Sequence, residues 1–95
     1  MSSRATAYTV ELYGLPALLV GNRRVELAVC VSTLGELARA LARHCPQLCG
    51  PVLDPAQGWL QRGYAFVVDG RFTRDPTRTV HPHNEILLVA AQAGG

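Results

Sequence analysis

The part of this chain best suited to chemistry carries no reactive side chain. The sequence ends "LLVAAQAGG", so that a strongly apolar segment runs with no spacer into Ala93, Gly94 and Gly95. Termini ordinarily fray through polar residues, and Gly-Gly is the most flexible pair a chain offers. Such an ending suits a terminal carboxylate that has to enter a channel no Cβ can follow. A carboxylate is a poor electrophile, because its charge must be removed before a nucleophile can attack the carbonyl carbon.

The side chains offer weaker alternatives. Cys45 and Cys49 lie near His44, but four ligands at finger-like spacing are absent and Pro46 interrupts the pair, so no metal is expected. Those two thiols and Cys30 read as small buried or half-buried hydrophobes. His44 and Cys45 are neighbours on a helical segment and point about 100° apart, which prevents them from acting as a nucleophile and its base. His81 and His83 flank Pro82 in a turn and are too few for a zinc site. Asp69 and Asp75 read as turn residues, and no set of nucleophile, base and orienting group emerges.

Composition narrows the classes further. The chain has 95 residues, 48% hydrophobic and 17% charged, which fits one packed domain and excludes a disordered chain. The net charge is +2, and all nine basic residues are arginines, scattered and not interleaved with aromatics, so nucleic acid is not an expected partner. With no lysine, the chain has no side-chain amine to accept an isopeptide bond. The longest apolar run is far short of a membrane span, so no membrane partner is expected. "MSSRATAYTV" has no long apolar stretch of the kind a secretory signal carries, and a cytoplasmic location is expected.

Several elements would have to position that terminus. "YTVELY" alternates, with Tyr8, Val10 and Leu12 on one face of a half-buried strand. "GLPALLVGN" is broken by Gly14, Pro16, Gly21 and Asn22 and reads as a compact apolar loop. "RRVELAVCV" alternates again, with Val25, Leu27, Val29 and Val31 on one side, completing a hairpin. In "STLGELARALARHC" the period changes. Leu34, Leu37, Ala38, Leu41 and Cys45 form one helical stripe over 34–45, opened by Thr33 and Glu36 as a capping box and ended by Pro46. Arg39 and Arg43 take the opposite face.

Residues 46–63 show no period and read as a long loop with a short helical turn near Leu48, in which Trp59 closes over the edge of the core. "YAFVVDGRFT" is a hairpin about Asp69-Gly70. The final "EILLVAA" is apolar on both faces, as a central strand would be. With Ile86 and Leu88 in the core under the helix, Leu87 and Val89 face outward as a candidate partner-docking patch.

A hairpin, one helix across it, and further strands with the last one central make an α+β, ubiquitin-like β-grasp: a mixed four- to five-stranded sheet with one main helix. In this order of elements, in "STLGELARAL" and in the terminal "AGG", the chain resembles the MoaD/ThiS family of sulfur carrier proteins, over residues 8–95. The family often has a Gly-Asp turn before the last strand and a pair of prolines after it. Here "HPHNE" and Ala90-Ala91 stand in those places. The segment "DPAQGWLQRG" looks more like larger carriers than like the short thiamine carriers.

The resemblance implies a carrier with no catalytic residues and no tightly bound cofactor. Its domain would span 8–91, between a flexible arm at 1–7 and a flexible tail at 92–95. An adenylating enzyme of the MoeB/ThiF type would use ATP to activate the Gly95 carboxylate, with Gly94 and Ala93 threading the channel. A sulfur donor, either a sulfurtransferase or a cysteine desulfurase, would convert it to a thiocarboxylate. A sulfur-accepting synthase or large subunit, as in molybdopterin synthase, would consume it. A ubiquitin-like modifier conjugated through the same tail is the alternative, and a plain β-grasp interaction domain would be indifferent to truncation of the tail.

Overall fold

The computed structural model describes residues 7–91. The expected arm and tail, including Ala93, Gly94 and Gly95, lie outside the described residues apart from Ala7, which is already part of the first strand. The order is β1 (Ala7–Leu12), α1 (Leu15–Val20), β2 (Arg24–Ala28), α2 (Leu34–His44), a 3₁₀ turn at Pro46–Leu48, β3 (Leu53–Asp54), β4 (Trp59–Leu60), β5 (Tyr64–Val68), β6 (Arg71–Thr73) and β7 (Ile86–Ala90).

Five strands form a mixed sheet in the order β2-β1-β7-β5-β6. The last strand is central: it runs parallel to β1 and antiparallel to β5. The helix α2 lies across one face, giving the two layers of the expected β-grasp. Alternation on the strands fills the core from below, through Tyr8, Val10 and Leu12, then Val25 and Leu27, then Phe66 and Val68, then Ile86 and Leu88. The stripe of α2 fills it from above with Leu34, Leu37, Ala38 and Leu41, while Arg39 and Arg43 are exposed.

The start of α2 is fixed by its cap. The Glu36 amide donates to Thr33 Oγ1 at 3.2 Å, as a capping box requires. The return bond goes one residue further back, from the Ser32 amide to Glu36 Oε1 at 2.8 Å. Two more amides of the first turn, those of Leu34 and Gly35, donate to the carbonyls of Arg78 and Pro76 at 2.9 and 2.8 Å. The orphan donors of the helix are thereby tied to the segment leading into β7. Gly35 suits this close approach, because a Cβ there would stand 3.1 Å from the Pro76 carbonyl oxygen and the neighbouring segment would have to give by a few tenths of an ångström.

Three sequence readings need correction. Residues 15–20 are a short helix and not a loop. Pro16 stands in its first turn and Gly21, at φ 81°, closes it in the left-handed conformation, so the residues read as breakers are its two ends. The 46–63 segment contains, besides its 3₁₀ turn, a two-stranded ladder pairing Leu53 with Leu60 and Asp54 with Trp59. Cys30 is exposed, whereas Cys45 is buried and Cys49 half-buried. Trp59 is half-buried and rests on the core as expected, with its ring centroid 5.8 Å from that of Phe66.

The stripe and its opposite face should respond differently to truncation. Leu41 is fully buried, so Leu41→Ala should cost about 2–5 kcal/mol through lost burial and a residual cavity. Arg43→Ala should be nearly neutral. Chemical denaturation of both variants checks this, and equal midpoints would contradict the packing described.

Candidate functional site

Strand β7 carries the candidate site, and its register is fixed at both ends. At its start, the Asp69 amide donates to the Glu85 carbonyl, and the Glu85 amide donates to Asp69 Oδ1, each at 2.8 Å. Asn84 Nδ2 donates to Asp69 Oδ2 at 2.7 Å. Asp69 and Gly70 have φ of 51° and 86°, the two positive values that the Asp-Gly hairpin turn needs. At the other end, Tyr64 pairs with Ala90, and the Ala91 amide donates to the Gly63 carbonyl at 2.7 Å. The central strand is therefore tied at both of its ends.

The alternation of β7 places its side chains as expected. Ile86 and Leu88 are in the core, and the candidate patch residues Leu87 and Val89 are half-buried on the other face. The 46–63 segment packs on α2, on the opposite side of the sheet from this patch. Leu87 pairs with Val67 on β5, Val89 with Ala65, and Val67 in turn with Phe72 on β6. The patch is thus wider than two residues. Ala65 and Val67 are nearly covered by these neighbours, while Phe72 is 68% exposed. Across β1 and β2 the same face turns polar, through Thr9, Glu11, Arg24 and Glu26, with Arg24 and Glu11 3.7 Å apart.

A second exposed apolar group lies at the end of β7. The Tyr13 amide donates to the Leu88 carbonyl at 3.1 Å, so the parallel ladder carries Tyr13 alongside Val89. Tyr13 is exposed, and its hydroxyl donates to Glu11 Oε1 at 3.1 Å. Leu15 and Leu18 follow on α1, with Leu18 79% exposed. On the β5 side, Arg74 Nη1 donates to the carbonyls of Tyr64 and Gln61 and so borders the same end. Arg74 and these apolar side chains thus border the end of β7.

The other candidates stay apart. Among the described residues no three of His, Cys, Asp and Glu come together as a metal site. His81 and His83 stack at 5.3 Å within the turn that the His81 amide closes on Asn84 Oδ1. The Cys45 thiol has its pKa raised by burial, which keeps it from acting as a thiolate. Asp75 accepts from the amide and hydroxyl of Thr77, a turn role like that of Asp69.

With the geometry established, comparison with known proteins supports the fold. No family model matches the chain, and no curated protein matches it. Solved structures do. Small archaeal modifier protein SAMP1 from Haloferax volcanii is similar at a TM-score of 0.77 and 22% identity, covering 94% of this chain and 99% of that one. SAMP1 from Methanosarcina acetivorans is similar at 0.75 and 14% identity, over 98% and 100% of the two chains. Urm1 from Trypanosoma brucei is similar at 0.67 and 18%, over 99% and 100%. The chain has the ubiquitin-like β-grasp fold.

The exposed Phe72 and the pair Ala65 and Val67 were not singled out in the sequence, although "YAFVV" is apolar at every position and so must be covered on both faces. Leu15 and Leu18 were hidden by the reading of 14–22 as a loop, and Tyr13 was not singled out at the end of "YTVELY".

The Asp69 bridge gives a test of how β7 is held. The Glu85 amide, and after it the Asn84 side chain, hold the Asp69 carboxyl below its usual pKa of 3.8. A depressed value contributes stability above the unfolded pKa, and that contribution is lost as pH falls through the folded one. Asn at this position tolerates the left-handed turn but does not titrate. Asp69→Asn should therefore melt below wild type near neutrality, and the gap should close as the pH drops below about 4. A gap independent of pH would show that the carboxylate does not hold the strand.

Proposed function

We propose that this protein is a sulfur carrier of the MoaD/ThiS type, with the terminal carboxylate on Gly95. The observation that carries the reading is the central strand β7, clamped at both ends and flanked by exposed apolar side chains, directly ahead of "QAGG" in the sequence. The rigid sheet supplies a surface for recognition, and the glycines supply a backbone that threads a narrow channel. Threading costs conformational entropy, so most of the affinity has to come from the folded domain. The outer face of β7, with Leu87 and Val89, and Phe72 beside it, is the docking surface in this reading.

The chemistry belongs to the partners. In an adenylating enzyme of the MoeB/ThiF type, a Gly95 carboxylate oxygen attacks the α-phosphate of ATP and pyrophosphate leaves. A sulfur nucleophile then attacks the carbonyl carbon, the bond to AMP breaks, and the terminus becomes a thiocarboxylate. Delivered to a sulfur-accepting synthase, that sulfur enters a product such as molybdopterin, cysteine or another sulfur-containing metabolite, and the carboxylate is regenerated. No residue of the chain has a catalytic task, and the site of action is cytoplasmic.

A second reading is favoured by the names of the similar structures. SAMP1 is named a modifier, and the same adenylated tail could be joined to lysines of target proteins. The two readings differ in the acceptor, so isopeptide-linked adducts recovered from cells would support the modifier role, and their absence alongside a thiocarboxylate would support the carrier.

The test is intact mass after incubation with ATP, sulfide and the MoeB/ThiF-type enzyme of the same organism. The wild-type chain should exchange one oxygen for sulfur. Deleting Gly95, or adding one residue after it, should leave the melting temperature unchanged and abolish the exchange, because a near-attack geometry does not tolerate a displacement of one residue. An extended chain that gains sulfur untrimmed, as fast as wild type, would overturn the proposal. Leu87→Asp should slow the exchange at limiting enzyme and spare it at saturating enzyme, the pattern expected of a docking residue.

A further inference from the structure

The sheet has a second feature that the carrier reading does not use, its open edge at β2. Strand β2 is outermost, and the phase of its ladder with β1 is set by the Leu12 amide, which donates to the Arg23 carbonyl at 2.8 Å. In an antiparallel pair, alternate residues exchange both backbone bonds with the neighbour. Val25 and Leu27, opposite Val10 and Tyr8, are in phase with Arg23 and point their backbone groups inward. Arg24, Glu26 and Ala28 therefore point theirs outward. The Arg24 amide is taken by Asn22 Oδ1 at 3.3 Å. Those of Glu26 and Ala28 have no further strand beside them among the described residues.

A groove of about 370 Å³ lies between this edge and α2, lined by Leu27, Ala28, Val29, Ala40, Arg43 and His44. Its floor is apolar, and both of its polar side chains are basic. The nearest carboxylate of the strand, that of Glu26, is on the outer face with Thr9, away from α2. A strand added along β2 would direct alternate side chains into the groove and bond its backbone to Glu26 and Ala28.

We propose that this edge is a docking site for an extended segment of a partner protein, with apolar residues at alternate positions followed by acidic ones. The main chain supplies the strand addition, the floor takes the apolar side chains, and Arg43 with His44 meets the acidic end. A second copy of this chain fits less well, because pairing β2 with β2 about a two-fold axis would bring two Arg43 and two His44 side chains to one seam. The opposite edge, β6, is only three residues long and begins with Arg71, which leaves little to extend.

The test uses the ¹⁵N-labelled full-length chain and the peptide acetyl-Thr-Val-Thr-Ile-Asp-Asp-Glu-amide. Amide shifts should move at residues 24–31 and 40–44, and exchange of the Glu26 and Ala28 amides should slow. Arg43→Glu should weaken binding about tenfold. Ala28→Pro removes an outward donor without breaking a bond to β1, and should abolish binding while the melting temperature stays within a few degrees of wild type. A peptide with lysines in place of its acidic residues should move none of these amides. Shifts confined to the Leu87 and Val89 face, no shifts at all, or slow exchange of these amides in a peptide-free dimer would each overturn the proposal. Because no adenylation is involved, a failure here is distinct from a failure of the carrier reading.

Discussion

The structure depends on inserting its last strand between its first strand and β5. β7 completes a parallel ladder with β1 and an antiparallel one with β5, so neither half of the sheet is covered until the end of the chain has been placed. The β1–β2 hairpin and α2 are local and can form early, but the ladder pairing Val10 with Ile86 joins residues almost a chain length apart. Loop closure of that span has to be met by burial, and β7 supplies it with Ile86 and Leu88 in the core. The tie between the start of α2 and residues 76–80 serves the same end, since it brings the incoming chain under the helix before β7 begins.

That dependence makes register the critical variable. Side chains on a strand alternate, so a slip of one residue would carry Leu87 and Val89 into the core and turn Ile86 and Leu88 outward. β7 is apolar at all its positions, and hydrophobicity alone discriminates poorly between these two arrangements. Shape does part of the work, but the hydrogen bonds at the two ends do more. Asp69 fixes Glu85 through backbone and carboxylate, and Gly63 fixes Ala91. A polar clamp at each end thus specifies what a continuous apolar run leaves ambiguous.

Those features also explain what could be read in advance. The α2 stripe, the Asp-Gly hairpin and the central place of an all-apolar strand follow from periodicity and turn chemistry that extend over many residues, and they were legible. α1 has fewer than two turns, too short to show a period, and its Pro and Gly carry opposite meanings at helix ends and in loops. β3 and β4 pair two residues each, below the length at which alternation can be recognised. The patch around Leu87 and Val89 was legible only along β7. Its continuation to Phe72 requires knowing that β5 and β6 lie beside it, which is a fact of topology. The terminal glycines raised a chemical expectation that falls outside the described residues.

In the carrier reading the recognition surface lies on β7 and the reactive end only a few residues beyond it in the sequence, which gives that reading a geometric content. A partner that holds the outer face at Val89 has only six residues of backbone from there to Gly95, a reach of about 20 Å when fully extended. A slip in β7 would shift the point of exit by about 3.3 Å and invert the docking face in the same step. In the carrier reading, the clamps at Asp69 and Gly63 would act as the zero of a covalent ruler, setting how far an enzyme's docking surface must lie from its nucleotide site. An edge strand could not serve as well, since its free side would let it fray or pair elsewhere. The central position of the last strand, held by β1 on one side and β5 on the other, is what gives residue 91 a defined place ahead of "QAGG".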